Sequence, residues 1–294
     1  MEIRAAGPGD VDAAVALHDA LVPYLVVTRG SLVRRLGTPT VPGRGTFAAL
    51  VDDELVGWAT TGLIGGSDPL DGELRLLVRP EYRRQGIGTR LLEATHANLR
   101  TAGATTARVF ADPRAVEWAQ RFGYRQTRQV VYAGIDPRKI PPQPEAPSQV
   151  ALVPLTDVDP HLLYVADMVA QRTKPGDAKI STRPYDEWLA AVWNSQDTVL
   201  DLSVAAVYQG EIVAFTLSLG DHTRIWSKMT STMPQYRGRG LAKLVKAAAL
   251  HRAADAGVEG AYTANYDGNT PMLAVNEWLG YHRIATHAVL ICPL

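Results

Sequence analysis

The 294-residue chain has a single cysteine, Cys292, so it can form no internal disulfide and holds no cluster of soft metal ligands. Cys292 reads as a small apolar residue of a terminal strand, and a reducing compartment fits. The seven histidines are scattered without a ligand spacing such as His-Glu-x-x-His, so no metal is expected. No run of ~18 apolar residues occurs, which argues against a membrane-spanning helix. The opening Met1-Glu2-Ile3-Arg4 lacks the basic start and apolar run of a signal peptide, and a cytoplasmic location is expected. Neither charge sign is in excess, with 30 Lys plus Arg against 30 Asp plus Glu. A balanced chain has no long-range attraction for nucleic acid or an anionic membrane, so neither is expected as a partner. What remains is 46% hydrophobic and 20% charged residues, over a length that suits two domains of a globular protein.

What the chain does have is a long internal repeat. Pro80-Glu81-Tyr82-Arg83-Arg84-Gln85-Gly86-Ile87-Gly88 returns 154 residues later (83 to 237) as Pro234-Gln235-Tyr236-Arg237-Gly238-Arg239-Gly240-Leu241-Ala242. Phe122-Gly123-Tyr124 answers Leu279-Gly280-Tyr281, and Asp53-Glu54-Leu55-Val56-Gly57 answers Gly210-Glu211-Ile212-Val213-Ala214, both at an offset of 157 (123 to 280, 53 to 210). Drifting offsets are what loop insertions leave between retained elements, and a period this long is a duplicated domain. Pro137, Pro141, Pro142, Pro144 and Pro147 mark the join, because proline suits neither a helix interior nor a central strand. The reading is a first domain at 1–137, a Pro-rich linker at 138–148 and a second domain at 149–294.

Each half follows one plan. Asp10 and Asp157 are candidate helix N-caps. A hairpin follows, then a strand (Glu73 to Val78, Ile225 to Thr232) that feeds the glycine turn. In the second half Leu241, Leu244, Val245, Ala248 and Ala249 make one apolar stripe on the next helix, and Gly103 and Gly257 suit left-handed helix ends. A further strand, a helix and a closing strand (Gln129 to Gly134, Ala285 to Cys292) complete each half. Strands flanked by crossing helices give an α/β fold with a mixed sheet, built twice.

The turn between strand and helix is the candidate binding element. The first amides of a helix lack acceptors, and the helix dipole adds partial positive charge there. Gly86, Gly88, Gly240 and Ala242 let an anion approach the backbone closely, and Arg83, Arg84, Arg237 and Arg239 add cations. The pattern is neither a Walker loop nor a dinucleotide fingerprint.

These segments resemble the acetyl-CoA motif of the GNAT superfamily of N-acetyltransferases, and the likeness covers both halves. That family's later motif, an Asn-containing helix ending in Leu-Gly-Phe, is matched by Asn265, Asn269, Met272, Asn276 and Leu279-Gly280-Tyr281, but in the first half only by Trp118 and Phe122-Gly123-Tyr124. The tandem arrangement resembles double-domain acetyltransferases of the mycothiol synthase type. The resemblance implies acetyl-CoA as cosubstrate. Its pyrophosphate would lie on the amides of Arg84, Gln85, Gly86, Ile87, Gly88 and Thr89, and of Gly238, Arg239, Gly240, Leu241, Ala242 and Lys243. Strands ending at Val78 and Thr232 would flank the pantetheine arm and supply an oxyanion donor, with Asn265 and Asn269 near the pantetheine amides.

The acceptor implied is a primary amine of a small molecule or peptide, on a monomer or homodimer. Many relatives carry a tyrosine acid four residues before the Gly of Leu-Gly-Phe. Ala119 and Asn276 fill that slot here. Glu73 is the candidate base of the first half, and the offset of 154 (73 to 227) assigns it Ser227 as counterpart. Asp177, Asp186 and Glu187 fall where the family builds its substrate wall. The fuller asparagine motif favours the second half as catalytic, with Asn276 its candidate residue. A non-catalytic acyl-CoA sensor or scaffold is the alternative, and an aminoacyl-tRNA-dependent transferase a third reading that zero net charge opposes.

Overall fold

The computed structural model describes residues 1–37, 42–64, 70–173 and 183–294. In chain order the elements are β1 (Glu2–Ala5), α1 (Val11–Leu21), α2 (Arg29–Gly37), β2 (Gly45–Val51), β3 (Glu54–Leu63), β4 (Asp71–Val78), α3 (Ile87–Thr101), β5 (Thr106–Ala111), α4 (Val116–Gln120), β6 (Arg125–Ile135), β7 (Ala151–Pro154), α5 (Pro160–Thr173), α6 (Tyr185–Trp188), β8 (Val204–Tyr208), β9 (Glu211–Gly220), β10 (Arg224–Thr232), α7 (Leu241–Asp255), β11 (Gly260–Tyr266), α8 (Thr270–Leu279) and β12 (His282–Pro293). The described residues form two compact units, one of 1–130 with 286–294, the other of 131–285.

In the first unit β1, β2, β3 and β4 pair antiparallel in that order, and β4 then pairs parallel with β5. The next strand comes from the end of the chain. Residues 288–293 of β12 run antiparallel to β5, from Ala288 opposite Ala111 to Pro293 opposite Thr106. The closing strand assigned from sequence to the second half thus completes the first unit's ladder. In the second unit β7, β8, β9 and β10 are antiparallel, β10 and β11 are parallel, and β6 lies beside β11. Each unit is an α/β layer with a mixed sheet.

Local chemistry explains the shared plan. The hairpins turn on Asp52-Asp53 (φ 49° and 63°) and Gln209-Gly210 (φ 50° and 80°), paired left-handed positions that match strand twist. Both hairpins shift register at the same place, between Ala49 and Leu50 and between Ala206 and Val207. On one face of the first sheet, Trp58 packs with Val11, Leu17 and Leu32 of α1 and α2. On the other, Leu92 and Leu99 of α3 pack with Leu74. Each such fully buried side chain contributes about 1.5–3 kcal/mol. In the second unit Phe215 packs with Leu163 and Trp188, while Leu250 packs with Ile225 and Ala261.

Three local expectations change. Asp10 precedes α1, but its carboxylate accepts from Arg4 (2.7 and 2.8 Å) and the Gly7 amide instead of capping the helix. Asp157 ends a single 3-10 turn, and Asp159 is the residue whose carboxylate accepts a first-turn amide of α5, that of His161, at 2.8 Å. Helix α7 has no single stripe, since Lys246, Ala247, Leu250 and Ala253 are buried along with Leu241, Leu244, Val245 and Ala249, while Ala248 is only half-buried.

Candidate active site

The two strand-to-helix turns repeat in backbone detail. Arg84 and Gly86 are left-handed in the first (φ 64° and 84°), Gly238 and Gly240 in the second (φ 76° and 78°). The Nε of Arg83 donates to the Val78 carbonyl at 3.0 Å, and Arg237 donates to Thr232 in the same way at 3.3 Å. These two arginines therefore tie the turn to its strand. The first amide with a helical acceptor is that of Arg90, bonded to Gly86 O, and in the second copy Leu244, bonded to Gly240 O, both at 3.1 Å. Among the described residues, the amides of Arg84 to Thr89 and of Gly238 to Lys243 have no backbone acceptor. Among the described residues, no atom beyond each glycine's own chain neighbours lies within 4 Å of a Cβ built on Gly86, Gly238 or Gly240. The junctions have the geometry of an anion cradle.

Around these amides the other expected residues take distinct places. Ile87 and Leu241 are buried anchors at the helix starts. Gln85 donates to Glu81 O. A Cβ on Gly88 would stand 3.5 Å from Trp118, an ordinary van der Waals contact. Arg239 lies over the Tyr236 ring at 5.3 Å and Lys243 over Trp278 at 5.0 Å.

Each motif strand parts from its parallel neighbour before reaching the turn. Pairing of β4 with β5 ends at Leu74 opposite Val109, and that of β10 with β11 at Trp226 opposite Tyr262. The amides of Arg79 and Met233 bond to Val56 and Val213 on the other side, both at 2.9 Å. By strand alternation the amides of Val78 and Thr232 face the opening. Among the described residues, Thr232 Oγ1 is buried without a hydrogen-bond partner.

The second opening contains a β-bulge that the first lacks. The β9–β10 register shifts between Ser227 and Met229, while β3–β4 pairs without a shift from Gly72 to Val78. The bulge corrects one sequence assignment. Glu73 pairs with Gly62, and Gly62 corresponds through the hairpin to Leu219, which pairs with Trp226. The counterpart of Glu73 is thus Trp226, and Ser227 corresponds to Leu74. The extra residue Lys228 accounts for the difference. Glu73 lies in the paired part of β4 opposite Arg108, on the sheet face away from Leu74 and α3.

The asparagine motif is a connected chain in the second unit. Lys246 of α7, 2% exposed, donates from Nζ to Asn276 Oδ1 at 2.8 Å. Asn276 Nδ2 donates to Asn265 Oδ1 at 2.8 Å. Burial pushes the lysine down to about 7, and its Nζ lies 4.7 Å from the centre of the Tyr281 ring. Burial raises the Tyr281 phenol, an effect Ser227 opposes. Asn269 precedes α8, but its side chain forms no cap bond. Asp186 and Glu187 are exposed on α6, and Asp177 lies outside the described residues.

In the first unit the structure pairs two residues that sequence reading left apart. Tyr24 Oη and His287 Nε2 are 2.9 Å apart and buried. Burial lowers the His287 pKa and raises that of Tyr24. Asp112, held down to about 2 by its bidentate contact with Arg114, is the nearby charge that opposes the His287 shift. The pair is 263 residues apart in sequence, so no local pattern announces it. Lys246 did leave a trace: it stands in the repeat where the first copy has Leu92.

Two parted strands, each leading to a cradle of unpaired amides, define an acyltransferase architecture used twice. A model of the acetyltransferase (GNAT) family matches residues 16–124 and again residues 168–281, and the chain belongs to that family. It is 30% identical over 264 residues to a mycothiol acetyltransferase of Salinispora arenicola, covering 86% of this chain and 83% of that one. It is 27% identical over 270 residues to a mycothiol acetyltransferase of Rhodococcus erythropolis, covering 85% and 86%. Among solved structures it resembles a GCN5-related N-acetyltransferase from Sphaerobacter thermophilus, with TM-score 0.77, 18% identity and coverage of 99% and 95%. It also resembles a tandem GNAT protein of the clavulanic acid biosynthesis pathway, with TM-score 0.76, 20% identity and coverage of 99% and 98%. Among the described residues, no helix is long and apolar enough to cross a membrane, and no group of three or more His, Cys, Asp or Glu side chains is placed to hold a metal.

Proposed function

We propose that the protein moves an acetyl group from acetyl-CoA to a primary amine of a small molecule or peptide, with the second unit catalytic. The observation that carries this reading is the run of acceptor-free amides from Gly238 to Lys243, at the foot of a strand that has parted from its neighbour. The pyrophosphate would accept from those amides. The pantetheine arm would lie between β10 and β11, and the Thr232 amide would donate to the thioester carbonyl. Likeness to proteins named mycothiol acetyltransferase supports acetyl as the group moved.

The chemistry then follows from the residues. A neutral amine attacks the thioester carbonyl carbon, and the oxyanion that forms is stabilised by a strand N–H. Collapse breaks the C–S bond, the amide forms, and the amine's proton passes to water or a base. Asn276 fills the acid slot but has no proton to give at this pH. The thiolate, with a pKa near ~8.5, leaves without help from that position. The second unit is favoured because it has the bulge and the Asn276–Asn265 chain. The first, with Ala119 buried in the corresponding slot, is a retained binding copy.

Free-thiol release from acetyl-CoA with a panel of amines tests this reading. Gly240→Val is expected to abolish release, while Gly86→Val keeps more than a tenth of the rate. Equal loss in both variants would reverse the assignment of the second unit, and absence of release with any amine would end the transferase reading.

A further inference from the structure

We propose that Lys246 is a positioning residue that sets the hydrogen-bond polarity of the second unit's cleft, orienting Asn276 and through it Asn265 so that an N–H donor is presented beside the opening between β10 and β11. This rests on the reading of that opening as the coenzyme A site. It adds the direction in which the site hydrogen-bonds, and so the group recognised there: a carbonyl oxygen of the pantetheine arm.

The direction follows from the inner end of the chain. Both contacts of Lys246 Nζ are donor contacts, one to Asn276 Oδ1 at 2.8 Å and one to the face of the Tyr281 ring at 4.7 Å. A primary amide has one acceptor end and one donor end. Once Asn276 Oδ1 is held by the lysine, its Nδ2 is the end left to meet Asn265, and it does so at 2.8 Å. Asn265 therefore accepts with Oδ1, and its Nδ2 is left over. That nitrogen has no partner among the described residues, and Asn265 is only part-buried, on the stretch of β11 beyond its last pair with β10. A donor so placed suits an acceptor that arrives with a ligand.

The first unit shows that the fold does not need this chain. By the repeat, Lys246 corresponds to Leu92 (92 to 246), Asn265 to Ala111 (111 to 265) and Asn276 to Ala119 (119 to 276). All three apolar residues are buried in one cluster. The second unit has replaced them together with a lysine and two asparagines. A buried lysine is destabilising relative to an apolar side chain, and a partly satisfied network is worse than none. A complete replacement confined to one unit indicates a task specific to that unit.

The test is calorimetric titration of the full chain with coenzyme A, any binding by the first unit serving as internal reference. Asn276→Asp keeps the contact with Lys246 but leaves only acceptors, so Asn265 must turn its Nδ2 inward and its carbonyl outward. Coenzyme A is expected to bind at least tenfold more weakly to this variant, and three- to tenfold more weakly to Lys246→Met. Asn265→Ala is expected to lose about tenfold. In that background Asn276→Asp should add less than twofold, because the group through which it acts is gone. In the acyl-transfer assay the loss should appear in KM for acetyl-CoA, with kcat changed less than threefold. Wild-type affinity in N276D and K246M, or effects of N276D and N265A that multiply in full, would overturn the proposal. N276D and N265A leave the lysine partnered or untouched, so the cycle stands even if K246M does not fold. A wild-type protein that binds no coenzyme A would instead end the reading of the cleft itself, and this inference with it.

Discussion

Arg84 and Gly238 hold the same left-handed backbone position in the two strand-to-helix turns, with φ 64° and 76°. One copy tolerates a side chain there, whereas two residues on, Gly86 and Gly240 are glycine in both. Gly238→Arg is therefore expected to change stability by less than ~1 kcal/mol and coenzyme A affinity by less than threefold. Gly240→Val forces a β-branched residue to φ 78°, which costs about 1–2 kcal/mol, and should weaken coenzyme A at least tenfold. Urea denaturation and titration of the two variants side by side check the contrast.

Lys246 makes the second unit's stability depend on pH. Its folded pKa is lowered from 10.5 to about 7 by burial. Below pH 7 both states hold the proton and the full penalty applies. Between pH 7 and 10.5 the unfolded chain holds a proton that the folded one has shed, so stability rises with pH, by about 1.4 kcal/mol per unit at the steepest. Lys246→Met lacks that term. The stability difference between wild type and variant should climb across this window and be flat below it, as measured by urea unfolding at a series of pH values.

The first unit responds in a different window. His18, His96 and His287 are buried, and burial lowers the pKa of each. As pH falls below ~6.5 the unfolded chain takes up protons that the folded unit resists, so this unit loses stability toward acid. His96→Phe gives up the 2.7 Å bond to Tyr124 but should reduce the acid sensitivity. Hydrogen exchange of α3 amides between pH 5 and 7 reads the effect.

Deleting Lys228 tests the bulge. Without the extra residue, β10 can pair with β9 in continuous register, as β4 does with β3. The deletion is expected to cut acetyl transfer at least tenfold while coenzyme A affinity stays within threefold, since the turn at Gly238 and Gly240 is untouched. Equal losses in both measurements would assign the bulge to binding.

The turns were legible from sequence because their chemistry is local: glycine, arginine and a helix start fall within a few residues. The duplicated plan was legible for the same reason, down to the residues of each hairpin. The bulge was not, because a register shift is a property of two strands, and a constant offset placed Ser227 where Trp226 belongs. Lys246 was hidden among Ala247, Ala248 and Ala249 on a helix that is buried more widely than a single stripe. Tyr24 and His287 meet only because the end of the chain joins the first unit. The segments 129–134 and 285–292 are equally good apolar strands, and nothing in either says which ladder it will complete.

That last strand has a consequence for biosynthesis. The ribosome emits 1–130 first, yet the partner of Ala107 and Val109 along the rim of β5 is residues 288–293, which it makes only after the whole second repeat. Until then β5 waits with its outer hydrogen-bonding groups unmatched. The half that is translated first is thus the half that finishes last, and a nascent chain stalled before residue 286 would carry an open rim prone to pairing with other chains.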